Sequence, residues 1–142
     1  MRYIVMIVLF VSALYAKSIA IIKDVKGEVI AKSATEYYAL HTGDELESQM
    51  VIITKNGSAV IVFNDNSTAV LAPYSILDLK KFVFKPIKNE YEFELFLKKG
   101  NLSFESGKIG ELAPDKFILE TPEGMVSIRG TKFYVRVQEE RQ

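Results

Sequence analysis

The stretch Glu90-Tyr91-Glu92-Phe93-Glu94-Leu95-Phe96-Leu97 decides the fold class. Tyr91, Phe93, Leu95 and Leu97 fall on one face, and Glu90, Glu92 and Glu94 on the other. Side chains of an extended chain point alternately to opposite faces, so a period of two marks a strand with one buried side. Lys98 and Lys99 follow at once. The glutamates therefore read as a solvated strand face and not as paired catalytic carboxylates.

The same pattern returns at Lys132–Val137, with Phe133, Val135 and Val137 inward and Lys132, Tyr134 and Arg136 outward. Other strand candidates are 19–25, 28–32, 51–54, 59–63, 68–72, 76–84, 102–105, 116–120 and 125–128, rich in the Val, Ile and Phe that suit a pleated surface. Within 76–84, Phe82 and Phe84 share a face and read as core. In the mature part of the chain no run of ten or more residues carries apolar positions at i, i+3, i+4 and i+7.

Turn chemistry punctuates these runs. Lys26-Gly27 divides the first two strands, and Gly100-Asn101 and Glu123-Gly124 divide later ones. Asn56-Gly57 predicts a type I′ hairpin, whose two central residues need positive φ. Asn64-Asp65-Asn66 does similar work, since Asn and Asp tolerate the left-handed region. Residues 51–72 then read as a three-strand meander. Strands recurring about every ten residues predict an all-β fold, either β-solenoid-like or a sandwich/barrel, of about ten to twelve short strands.

Composition removes much chemistry. The 142 residues carry 18 Lys+Arg against 18 Asp+Glu, a balance that disfavours nucleic acid, whose affinity rests on excess cations. The absence of cysteine excludes disulfides, thiolate catalysis, Cys-ligated metals and a lipidated N-terminal cysteine, and one histidine excludes a multi-histidine site. No cofactor is expected. The opening MRYIVMIVLFVSALYA has the layout of a signal peptide: Arg2, an apolar run, then small residues ending at Ala16. Its apolar run is shorter than the roughly 20 residues a spanning helix needs. The organisation expected is a leader over 1–16 and one domain over 17–142, soluble in a periplasm and without a membrane span once the leader is removed.

The order of the pieces carries a resemblance. From Gly27-Glu28-Val29 the chain passes to His41-Thr42-Gly43-Asp44, then Ile53-Thr54 and Ser58-Ala59. It continues through Asp65-Asn66-Ser67, Pro73-Tyr74-Ser75, Gly100-Asn101-Leu102 and Thr121-Pro122, and closes on Arg129-Gly130-Thr131-Lys132-Phe133. Over about residues 25–137 this resembles the FecR domain family, named for the ferric-citrate transport regulator. The hairpin departs locally, with Asn66 where that family usually has Gly. A larger departure is upstream: family regulators carry a cytoplasmic segment that handles a sigma factor and a membrane helix, where this chain has a signal peptide. The resemblance implies an all-β periplasmic domain and does not carry sigma-factor control with it. Its motif positions, read mainly as structural, are Gly43, Asp44, Thr54, Ser58, Asp65, Ser67, Pro73, Gly100, Thr121, Pro122, Gly130, Thr131 and Phe133.

Individual residues were weighed for chemistry. Arg129 beside Gly130 could hold an anionic ligand or a partner's carboxylate, although Gly130 in a strand run first suggests a bulge. Gly43-Asp44 reads as a turn with an Asx-type hydrogen bond, not a calcium loop, which would need clustered oxygens. His41 with Ser58, Ser67 or Ser75 lacks the Gly-x-Ser-x-Gly elbow of a hydrolase, and a surface histidine is the simpler reading. Tyr37-Tyr38 and Tyr74 could form an aromatic platform, with packing at the core edge the commoner outcome. The function expected is a non-enzymatic binding or sensing module of the envelope, facing a protein partner or cell-wall ligand. The alternatives are a scaffolding β-domain of an envelope assembly and, last, a small hydrolase.

Overall fold

The computed structural model describes residues 17–127 and 132–138. In chain order its strands are β1 (Ser18–Lys26), β2 (Val29–Lys32), β3 (Tyr37–Ala39), β4 (Glu45–Glu47), β5 (Val51–Thr54) and β6 (Ser58–Phe63). They continue with β7 (Thr68–Leu71), β8 (Ile76–Lys85), β9 (Glu90–Glu105), β10 (Phe117–Thr121), β11 (Gly124–Ser127) and β12 (Lys132–Val137). One five-residue helix, α1 (Lys108–Leu112), separates β9 from β10. The protein is all-β, as the period-two pattern requires. The leader over 1–16 and the Arg129-Gly130-Thr131 motif lie outside the described residues.

The strands form one sheet in the order β3-β2-β5-β8-β9-β7-β6-β1-β4, with β10, β11 and β12 attached beside β9, and it curls into a half-barrel. Every ladder is antiparallel except β9 with β10. Of the two architectures expected, the antiparallel one is built and the stacked parallel coils of a solenoid are not.

β9 is the spine. Its first half pairs with β8 and β10, and its second half with β7 and β12. Phe93, Leu95 and Leu97 are buried in the first half, then Leu102 and Phe104 in the second, so the buried set shifts from odd to even numbers. The β8–β9 register slips between Leu77↔Leu97 and Ile76↔Lys99, which inserts one extra residue and flips the faces. Gly100 follows with φ +95°, a conformation that favours glycine. Gly100-Asn101 is therefore a kink inside one 16-residue strand and not the turn expected from sequence. A second slip, between Asp78 and Lys81, moves the buried set of β8 from Leu77 and Leu79 to Phe82.

The curl closes over a chain of phenylalanines. Phe93 meets Phe63 of β6 at 4.7 Å between ring centroids, Phe82 at 4.9 Å, Phe104 at 5.6 Å and Phe117 at 5.1 Å. Phe133 of β12 joins through Phe104 at 5.3 Å. These tilted and edge-on contacts suit the ring quadrupole, and they tie both halves of the sheet into one core. Glu90 and Glu92 stand in solvent, where they pair with Lys85 and Lys81.

Two local expectations fail. β5 pairs with β2 and β8, while β6 pairs with β1 and β7, so Asn56-Gly57 is a crossing between sheet halves and not a hairpin. Neither residue has positive φ. Only the β6–β7 part of the expected meander is a hairpin, and Asn66 at its tip has φ 68°, the left-handed conformation Asn tolerates.

Candidate functional site

The motif residues gather into hydrogen-bonded corners. At the first, Thr54 is buried at the end of β5. Its Oγ1 donates to the Ala72 carbonyl at 2.6 Å and accepts the Ser75 N–H at 2.8 Å. The Ser75 Oγ accepts the Asn101 N–H at 3.0 Å. A Cβ on Gly100 would collide with the Ser75 side chain, so the glycine permits this close approach. Pro73 and Tyr74 form the exposed outer side of the same turn, with Tyr74 at φ 58°. Two hydroxyls and one glycine thus fasten the kink of β9 to the β5–β8 junction.

At the second corner the Asp65 carboxyl is fully buried. Its Oδ1 accepts the Ser67 N–H at 3.0 Å, and its Oδ2 accepts the Ser67 hydroxyl at 2.7 Å and the Ile109 N–H at 3.1 Å. Ser67 Oγ in turn accepts the Gly107 N–H at 2.8 Å. The N-terminal amides of a helix have no intrahelical partner, and Asp65 supplies one to α1 from 44 residues upstream. A Cβ on Gly107 would strike the Asp65 carbonyl.

The remaining motif positions also serve shape. The Asp44 carboxylate accepts the His41 N–H at 2.8 Å across a turn in which Gly43 has φ +94°, so the expected Asx-type turn is present. Gly27 packs against Gly57, Glu28 donates its N–H to Asn56 Oδ1 at 3.2 Å, and Ser58 pairs with Lys26. Thr121 Oγ1 donates to the Gly124 carbonyl at 3.1 Å around exposed Pro122, which closes the β10–β11 hairpin. Phe133 is core. Sequence reasoning passed over Ser75 and Asn101 as contributors, although the Pro-x-Ser step pointed to the first.

Groups with reactive chemistry are dispersed. The His41 side chain is 77% exposed, with Nδ1 3.7 Å from Asp44. Ser67 and Ser75 are buried in the corners and Ser58 lies in β6. Among the described residues no three His, Cys, Asp or Glu side chains are placed to hold a metal ion. Partial burial raises the Asp78 carboxyl above its usual range, with Lys80 and Lys98 pulling the other way. Burial also raises the Tyr38 phenol, helped by Glu47, Asp44 and Glu36.

The tyrosines correct an expectation. Tyr37 and Tyr74 are 66% and 65% exposed and do not pack at the core edge. Lys32 lies 5.6 Å from the Tyr37 ring centroid, and the Tyr38 hydroxyl donates to Met50 Sδ at 3.8 Å. A cleft of about 510 Å³ opens beside the Gly27 turn, between the end of β1, β2 and the residues after β3.

A half-barrel of short strands pinned at its corners by buried hydroxyls and one buried carboxyl defines a compact β-module without clustered catalytic groups among the described residues. The model of the FecR protein family matches residues 50–142, and the chain belongs to that family. The matched segment begins just before β5 and includes both main corners, whereas Gly43 and Asp44 precede it. Domains of this family are generally non-catalytic regulators and are typically periplasmic, and membership implies a role in FecR-like envelope signalling. No helix among the described residues is long and apolar enough to cross a membrane. Comparisons with curated proteins and with solved structures return no significant match.

Proposed function

We propose that this domain is a non-enzymatic binding and sensing module of the bacterial envelope. The observation that carries the reading is the family match over residues 50–142. The buried polar groups of the motif find their partners within the protein, so recognition falls to exposed residues. On this reading residues 1–16 are a leader, the mature chain begins at Lys17 in the periplasm, and Arg129 presents its guanidinium to a carboxylate of an envelope protein or cell-wall ligand. Cofactors and nucleic acid have no part in it.

Fractionation with intact-mass measurement tests the location. A periplasmic chain beginning at Lys17 is expected, and a cytoplasmic chain beginning at Met1 would overturn it. Crosslinking in intact cells tests the role, with a receptor or signalling protein of the envelope as the expected partner. The open edges at β3, β4, β11 and β12 favour the scaffolding alternative. Crosslinks confined to one structural assembly would decide for that alternative.

A further inference from the structure

One part of the sheet stands apart from the rest. The β5 ladder on β8 ends at Asp78, and the β10 ladder on β9 begins at Phe93. From Lys80 to Glu92 the two strands pair only with each other and form an arm. The arm is stiffened by Lys81–Glu92 at 3.6 Å, Lys85–Glu90 at 4.0 Å and the Phe84 and Tyr91 rings at 6.0 Å. Its tip, Pro86-Ile87-Lys88, is one 3-10 turn closed by the Asn89 N–H donating to the Pro86 carbonyl at 3.1 Å. Ile87 at this tip is 102% exposed. A single exposed apolar residue is ordinary. A rigid mount and a matching hole elsewhere on the same molecule are not.

The hole is the cleft of about 510 Å³. Val25, Val29, Ala39 and Leu40 supply apolar walls, and Glu28 and His41 lie at its polar side. Neither Glu28 nor Lys88 has an ion-pair partner among the described residues. The cleft flanks the Gly27–Gly57 contact, at the end of the molecule where β8 begins: Tyr74, just before β8, donates its N–H to the Lys55 carbonyl. The tip lies at the far end of β8, roughly 30 Å of extended strand away. A molecule's own tip therefore does not reach its own cleft.

We propose that the tip of one copy seats in the cleft of a second, with Ile87 among Val25, Val29, Ala39 and Leu40 and Lys88 beside Glu28. Knob and hole are different surfaces, so the contact is heterologous, and each added copy presents a fresh tip and a fresh cleft. The copies join head to tail. The interface is small, so assembly is weak in dilute solution and rises with local concentration. This inference is independent of the sensing role and stands or falls by itself.

Sedimentation equilibrium of the purified chain over a wide concentration range tests it. The weight-average mass is expected to rise with concentration above that of one chain. Ile87→Asp removes the knob and Ala39→Trp fills the hole, and each should weaken association about tenfold or more, a loss of about 1.4 kcal/mol. An equimolar mixture of the two should pair into dimers and stop, because one variant keeps a working cleft and the other a working tip. Glu28→Lys provides a second cleft variant should Ala39→Trp fail to fold. It should weaken association and recover it when combined with Lys88→Glu. A chain that stays monomeric at every concentration would overturn the proposal. So would association that Ile87→Asp leaves unchanged, or a mixture that shows no rescue.

Discussion

Replacing Asp65 by Ala probes the physical basis of the fold most sharply. The carboxyl is wholly buried and accepts three hydrogen bonds, two of them from backbone amides of Ser67 and Ile109. Alanine removes the acceptor and leaves both amides in place. An unmet buried donor costs about 1–3 kcal/mol. The Ser67 hydroxyl keeps the Gly107 N–H as a donor to it, so its own loss is smaller. The sum is about 3–5 kcal/mol, set against the ~5–15 kcal/mol that holds a domain of this kind together. At roughly 3–5 °C per kcal/mol for this size, the melting temperature should fall by about 10–20 °C. Asp65→Asn keeps one carbonyl acceptor and should lose less. Calorimetry with far-UV circular dichroism reads the outcome. An Asp65→Ala protein melting within about 3 °C of wild type would show that these amides find other partners and that the corner does not hold α1 to the sheet.

Gly100→Ala forces a Cβ into the Ser75 side chain at φ +95° and should cost on the order of 2–4 kcal/mol, read as a lower denaturation midpoint with an unchanged slope. Asp78→Asn should act in the opposite direction. Burial raises the folded carboxyl's pKa, so the ionised form is penalised at neutral pH and the penalty disappears as pH falls below the unfolded value of about 4. The variant should therefore melt slightly higher near pH 7, by less than about 1 kcal/mol because the group is largely solvated, and equal wild type near about pH 3. A gain that persists at the acid end would refute the assignment. His41→Ala should leave melting and partner binding unchanged, and loss of a measured activity in it would restore the hydrolase reading. Arg129→Ala should shift melting by no more than about 0.5 kcal/mol and weaken partner capture in a salt-dependent way. Capture identical to wild type would remove Arg129 from the binding surface.

The legible parts of the fold were those where one residue reports on its neighbours. The alternation at 90–97 placed Phe93, Leu95 and Leu97 inward correctly, and Asn66 was recognised as a left-handed tip. Turn chemistry was less informative where it said nothing about pairing. Asn56-Gly57 is flanked by two true strands, yet these belong to different halves of the sheet, a fact set by the packing of Gly57 on Gly27, 30 residues earlier. Gly100 looked like punctuation because a strand-breaking residue and a bulge leave the same local trace, and only the shift of buried parity shows that β9 continues. β3 and β4, at three residues each, are too short to show a period. α1 owes its start to Asp65, far away in sequence. Motif residues were rightly read as structural, but their grouping into two corners required knowing that Thr54 lies beside Ser75 and Ser67 beside Gly107. The arm tip at Ile87 was missed because an apolar residue between lysines carries no sign of its exposure.

Transcript profiles of cells lacking this chain, compared with wild type and with cells complemented by the chain, test its central role most directly. FecR-like envelope signalling predicts that a defined set of transcripts changes on deletion and returns on complementation with the wild-type chain, while Asp65→Ala, with its corner broken, restores the set poorly. Unchanged transcripts, together with an envelope defect that only a catalytic activity of the chain could repair, would contradict it.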